Sequence, residues 1–140
     1  MLMRLTLWEC RVDISICSKC ALYFPSSKRK MPKDHLTKIK IMADYCDAYA
    51  WDQEGVCIGL SYNFPEREVI AQIEKELEEW SGWFMSNDED LNFPWDDFHE
   101  KGLALAKRLK EAIRDTGVPV FYEPPFEDPN RMNHEVLEIE

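Results

Sequence analysis

The feature that most constrains this chain is a pair of apolar stripes at helical spacing on either side of one aromatic, acidic stretch. The first stripe is Val69, Ile70, Ile73, Leu77, Trp80 and Phe84. The second is Phe98, Gly102, Leu105, Leu109 and Ile113, with Ala106 and Ala112 beside it. Residues three and four apart share a helix face, so each run predicts an amphipathic helix that must bury one side. The stretch between them, Trp80 to Trp95, reads WSGWFMSNDEDLNFPW and carries three of the five tryptophans.

The helix ends read from local chemistry. Asn63 is placed to cap the first helix, with Pro65 in its first turn and Glu66 three residues after the cap. Asn92-Phe93-Pro94 repeats Asn63-Phe64-Pro65 and predicts the same capping for the second helix. Asp96, Asp97 and Glu100 fall at its positive end, and Lys107, Arg108, Lys110 and Arg114 towards its negative end. Gly117 fits a left-handed cap. Gly82 weakens the last turn of the first helix, and residues 86–90 read as a solvated acidic loop.

Strands flank the helices. Residues 45–51 and 56–62 read as a hairpin around Asp52-Gln-Glu-Gly55, a turn closed by a bulge glycine that pairs Asp52 with Val56. In that register Cys46, Ala48 and Ala50 join Val56, Ile58, Leu60 and Tyr62 on a core face. Tyr45, Asp47, Tyr49 and Trp51 fall on the other face. Residues 118–122 form a short strand, which Pro119 places at an edge or at the strand's first residues. Residues 123–129 form a proline-stiffened loop, and residues 135–139 supply one more strand. The fold class expected is α+β: a β-hairpin, two tandem amphipathic helices and one or two C-terminal strands, in a small mixed or antiparallel sheet packed on the helix pair.

Charge divides the chain. Residues 1–41 hold nine Lys/Arg against three Asp/Glu, a net of +6; residues 42–140 hold eight against twenty-four, a net of −16; together they give the −10 of the whole. The step predicts a basic extension over 1–41, poorly ordered or lying ahead of a natural start at Met42 or Met31, and one acidic domain over 42–140. Within the extension, Val12, Ile14 and Ile16 alternate like a strand, and residues 25–40 read as a basic linker.

No run of about 18 apolar residues exists, and Arg4, Glu9, Arg11 and Asp13 interrupt the first residues, so neither a membrane span nor a secretory leader is expected. Five cysteines without a leader favour free thiols in the cytoplasm. Cys17 and Cys20 have zinc-ligand spacing, and Cys10, His35, Cys46 or Cys57 would have to complete the set; no second such pair exists, so no metal and no cofactor are expected. A redox pair should open a helix after a strand, and this one precedes a Pro/Ser/Lys linker.

No catalytic motif stands out. There is no glycine-rich phosphate loop. Asp96 and Asp97 are accounted for by the helix dipole and Asp88, Glu89 and Asp90 by a wet loop, with His99 beside Glu100 the one conceivable general base. The acidic domain repels a phosphate chain, which argues against direct nucleic-acid binding. The leading expectation is therefore a small binding module that occludes a protein partner with a basic surface. Tyr45, Asp47, Tyr49, Trp51, Trp83, Asp88, Glu89, Asp90 and Trp95 form its contact surface. A small enzyme or accessory subunit using His99, and a homo-oligomer subunit joined through the aromatic hairpin face, are the alternatives.

Overall fold

A computed structural model of the chain describes residues 36–87, 89–131 and 136–140. The expected strand at 12–17, the Cys17/Cys20 pair with Cys10 and His35, and Asp88 lie outside the described residues. So does most of the basic extension.

Strand β1 spans Ile39–Asp44. Ile39, Ile41 and Ala43 alternate with Lys40 and Asp44 and point into the main core. The boundary drawn from charge at 41/42 therefore falls inside a strand. Lys38 and Lys40 give this segment a basic composition, while its isoleucines give it period-two burial. The chain reverses over residues 45–47, where Cys46 and Asp47 take left-handed φ values of 64° and 55°. Such values are uncommon without glycine. The Asp44 carboxylate accepts the Tyr45 N–H at 2.8 Å and steadies the turn.

Strand β2, Ala48–Trp51, returns antiparallel to β1, with Ile41 opposite Ala50 and Asp44 opposite Ala48. Three steps along β1 face two along β2, so β1 bulges between those pairs. All four β2 residues are buried. This corrects the assignment of Tyr49 and Trp51 to an open face, because that reading assumed one wet side.

The turn at 52–55 forms as expected. Gly55 has φ 74°, and Asp52 N–H donates to the Val56 carbonyl at 2.9 Å. The Asp52 carboxylate also accepts the N–H groups of Glu54 and Val56. The same register continues through a Trp51–Cys57 bridge and an Ile58 N–H donated to Ala50. It then stops. Leu60–Asn63 coils into one helical turn, α1, in place of the expected strand end. The cause is Glu74, whose carboxylate accepts the N–H groups of Leu60 and Ser61 at 2.7 and 3.0 Å and caps α1 from another element. The sheet's hairpin is thus β1–β2, not 45–51 with 56–62.

Helix α2 spans Glu68–Asn87. Asn63 does not cap it; the Asn63 side chain donates to Gly59 within α1. Ile70, Ile73, Leu77, Trp80 and Phe84 are fully buried, and Val69, one step off the stripe, is exposed. Gly82 does not end the helix.

Helix α3 spans Trp95–Ala112 and begins after Pro94, again without a side-chain cap from the preceding asparagine. Asn92 N–H instead donates to Asp90. Phe98, Gly102, Leu105, Ala106, Leu109 and Ile113 form the buried stripe. A 3-10 turn at Arg114–Thr116 follows, closed by Gly117 at φ 71°.

Strand β3, Val120–Tyr122, lies parallel to β1, with Ile39 opposite Val120 and Ile41 opposite Tyr122. Pro119 precedes it, and its carbonyl accepts the Ile39 N–H, so a central strand tolerates the proline. Strand β4, Leu137–Glu138, pairs antiparallel with β3. The sheet order is β2-β1-β3-β4. The fold is the expected α+β arrangement, with a four-stranded mixed sheet against helices.

Helix α2 lies over β1 and β2, and α3 lies over β3 and β1. They pack tightly at Gly102, where a Cβ would stand 2.6 Å from both the Trp80 and Tyr122 rings. Trp80 stacks on Phe98 at 4.6 Å and donates its indole N–H to the Phe98 carbonyl. Each such buried aromatic contributes about 1.5–3 kcal/mol relative to an exposed one. A second, smaller cluster joins Met42, Ala48 and Trp51.

Candidate binding surface

The aromatic residues of the helix-joining stretch assemble at one end of the molecule. Trp83 meets Phe93 at 5.2 Å between ring centroids, and Phe93 meets Trp95 at 4.7 Å. Trp95 reaches Phe84 at 6.3 Å, and Phe84 reaches Tyr45 on the β1–β2 turn at 5.9 Å. The Asp47 N–H contacts the Met85 sulfur at 3.4 Å, which brings the turn against the last turns of α2. The inner rings, Phe84, Phe93 and Phe98, are buried. Trp83 and Trp95 are half-buried and Tyr45 is exposed. Leu91, in the joining loop, is fully exposed.

Carboxylates flank these aromatics along the chain. Asp47, Glu78, Glu79, Glu89, Asp90, Asp96 and Asp97 are all exposed. From Glu76 to Glu100 the chain contains no Lys or Arg. No Lys or Arg stands between Ile41 and Glu66 either. Arg67, just before α2, pairs with Asp115 beyond the end of α3, and Arg108 pairs with Glu76 at the middle of α2, while Lys101 stands in the second turn of α3.

The distribution works against helix stability at one place. The last turn of α2 has no basic residue. A helix C-terminus carries partial negative charge, so carboxylates beside it are unfavourable. Away from that turn, partial desolvation first, then the charges of Glu74 and Asp47, hold the Glu78 carboxyl above the ordinary carboxylate range. By contrast Asp96 and Asp97 lie in the first turn of α3, where they are favourable.

The expected contact residues divide on this frame. Tyr45, Asp47, Trp83, Glu89, Asp90 and Trp95 come together at this end. Tyr49 and Trp51 are 8% and 3% exposed and support it from inside. The Tyr49 hydroxyl donates to Glu74 at 2.8 Å, and burial and that carboxylate push its pKa far above the phenol range. The Trp51 indole N–H donates to the Met42 carbonyl at 2.9 Å. Trp51 is therefore an interior residue of this fold.

His99 lies in a polar chain that no sequence motif announces. Its Nδ1 stands 2.7 Å from the Tyr122 hydroxyl and its Nε2 2.7 Å from Asp128 Oδ2. Asp128 accepts, so Nε2 carries a proton and, in the neutral ring, Tyr122 donates to Nδ1. Asp128 is buried, on the loop at 123–131. Burial first, then the Asp128 charge, push the Tyr122 hydroxyl far above the ordinary phenol range, so it stays protonated. Both imidazole nitrogens are thus occupied by buried partners, and neither is presented to a substrate.

A groove of about 460 Å³, lined by residues including Phe64, Arg67, Thr116 and Val118, lies beyond the far end of α3. Between His99 and Ile113 the helix rises about 21 Å, so this groove is remote from the histidine.

Cys46 and Cys57 are half-buried. Among the described residues no group of three or more His, Cys, Asp or Glu is placed to hold a metal ion, and no helix is long and apolar enough to cross a membrane. No protein-family model, curated protein or solved structure matches the chain.

The spacing that set Trp83 off the buried stripe and Trp95 at the mouth of the second helix did not show how the charge is segregated. The signal was present as the cation-free runs. The Asp128–His99–Tyr122 chain joins residues 23 and 29 apart and left no local trace.

Proposed function

We propose that this protein binds a basic protein partner through the acidic, aromatic end formed by the β1–β2 turn, the C-terminal half of α2 and the start of α3, and that it acts by covering the partner's surface. The observation that carries this reading is the coincidence of two features there. Half-exposed Trp83 and Trp95 stand on a rigid bed of buried rings. Exposed carboxylates flank them along the chain, without an intervening cation in the sequence from Glu76 to Glu100. Large aromatics with few rotatable bonds make effective interface anchors. The surrounding charge steers a basic partner and raises its association rate more than its affinity.

Capture tests this. The full chain, tagged and expressed in its native source, is expected to retain a stoichiometric basic protein. High salt should release that protein, and Glu89→Lys/Asp90→Lys should fail to capture it. A partner held equally by the wild type and the charge-reversed variant would contradict the reading.

A second reading, a small enzyme using His99 with nearby carboxylates, draws on the burial and convergence of Asp128, His99 and Tyr122. It requires Tyr122 to leave Nδ1 and expose a nitrogen. A ligand that shifts the imidazole resonances of His99 and none at Trp83 would favour it over the binding reading.

A further inference from the structure

Residues 123–131 form a strap, stiffened by Pro124, Pro125 and Pro129, that passes beside the start of α3. Two polar fastenings hold it. Glu123 pairs with Arg131 and with Lys40 of β1, the latter at 2.6 Å, and Phe126 covers the Arg131 guanidinium at 3.7 Å. The second fastening is Asp128, whose Oδ2 accepts a hydrogen bond from His99 Nε2–H while its Oδ1 accepts the Asn130 N–H at 2.8 Å. Asp128 is therefore tied to its own turn by one oxygen and to α3 by the other.

His99 in turn meets Trp95. Their rings lie 5.8 Å apart at 25°, the most nearly parallel of the Trp95 ring contacts. Trp95 meets Phe93 and Phe98 edge-on and Phe84 at a tilt. Edge contacts limit the ring's swing but leave one face to be set by whatever stacks on it. That face is set by His99, and the plane of His99 is fixed from both nitrogens, by Tyr122 on β3 and Asp128 on the strap. A ring held at both of its nitrogens cannot turn without losing a hydrogen bond in a mostly buried site.

We propose that His99 is a positioning residue: the Asp128–His99–Tyr122 chain orients Trp95, so the strap at 123–131 governs the order of the binding surface without touching the partner. The functional half of this inference rests on the binding reading above; the coupling of Asp128 to Trp95 does not. The chain keeps its two contacts whichever protonation state His99 adopts. The Tyr122 hydroxyl donates to a neutral Nδ1 and accepts from a protonated one.

The test compares Asp128→Ala with Asp128→Asn in the full chain. Both variants give up the acceptor of the Asn130 N–H; alanine also removes the acceptor for Nε2, where asparagine keeps an oxygen. The first readout is side-chain NMR relaxation of the Trp95 indole, assigned with Trp95→Phe. Asp128→Ala is expected to mobilise the Trp95 indole and leave the Trp80 indole, which donates to Phe98, as rigid as in the wild type. Asp128→Asn is expected to restore Trp95. A Trp95 indole as ordered in Asp128→Ala as in the wild type overturns the coupling, and a Trp80 indole that loosens equally shows general unfolding and overturns it as well. The second readout is binding of an arginine oligomer, a probe with the charge and planar cations the surface should accept. Asp128→Ala is expected to weaken it about threefold to tenfold, with Asp128→Asn near the wild type. Equal binding by all three overturns the functional half. A wild type that binds no arginine oligomer removes the binding reading itself, and the indole relaxation then decides the coupling alone.

Discussion

Gly102 shows how far single residues set this fold. The two helices and the sheet meet where Trp80 and Tyr122 close over it, and a Cβ there would lie 2.6 Å from each ring. Neither ring can withdraw freely, since Trp80 is bonded to Phe98 and Tyr122 to His99. Gly102→Ala is expected to destabilise the protein by about 1–3 kcal/mol, read as a lower urea midpoint at unchanged slope. Glu78 gives a residue-scale effect of opposite sign. Its folded-state pKa is raised by burial and by the Glu74 and Asp47 charges. The folded protein then holds that proton more tightly than the unfolded chain does. The associated stability is present below the ordinary carboxylate range and lost as pH rises through the raised value. Glu78→Gln removes the loss. It is expected to add about 0.2–0.5 kcal/mol at neutral pH, the scale of a like-charge pair four apart on a helix, and nothing at about pH 4, where Glu78 is largely protonated. Urea titrations at the two pH values check both statements.

Among the elements, β1 carries the clearest consequence. Ile39 and Ile41 are fully buried and pair with β3, and Ile39 also donates to Pro119. A chain beginning at Met42 loses both isoleucines. Each large core side chain removed costs about 2–5 kcal/mol, against a total margin of about 5–15 kcal/mol. Residues 42–140 alone are expected to show no cooperative thermal transition by near-ultraviolet circular dichroism, and a chain beginning at Met31 to retain one. This element was also the least legible in the sequence. Its alternation of Ile39, Ile41 and Ala43 is clear only once charge is set aside, and its parallel partner lies across two helices. The helices were legible because each buries a single stripe, so period and burial agree. Their caps were not: α1 is capped by Glu74 from another element, and neither Asn63 nor Asn92 performs the role its neighbours suggested. The Asp52–Gly55 turn was legible because its hydrogen bonds are local. The two faces of β2 were not, since a strand buried on both sides gives alternation nothing to report. The acidic, aromatic end was half legible for the same reason. Trp83 and Trp95 could be placed from helix spacing, whereas the burial of Tyr49 and Trp51 depends on Glu74 and on the Met42 carbonyl.

At the scale of the whole molecule, the organising property is the separation of charge along the helix pair. The ion pairs Arg67–Asp115 and Glu76–Arg108 lie from the start to the middle of α2 and along the last turns of α3 and just beyond it. The opposite end keeps its carboxylates unneutralised by neighbouring sequence and holds its tryptophans half-exposed above buried rings. Fields of this kind act on approach more than on the final contact, and salt screens them over about 8–10 Å. The most direct test is therefore the association rate constant between this protein and its captured partner, followed against ionic strength for the wild type and for Glu89→Lys/Asp90→Lys. The wild-type rate is expected to fall about tenfold or more from low to high salt, and the charge-reversed protein to start slow and vary little. Equal rates for the two proteins, indifferent to salt, would contradict the assignment of this end of the molecule as the binding surface.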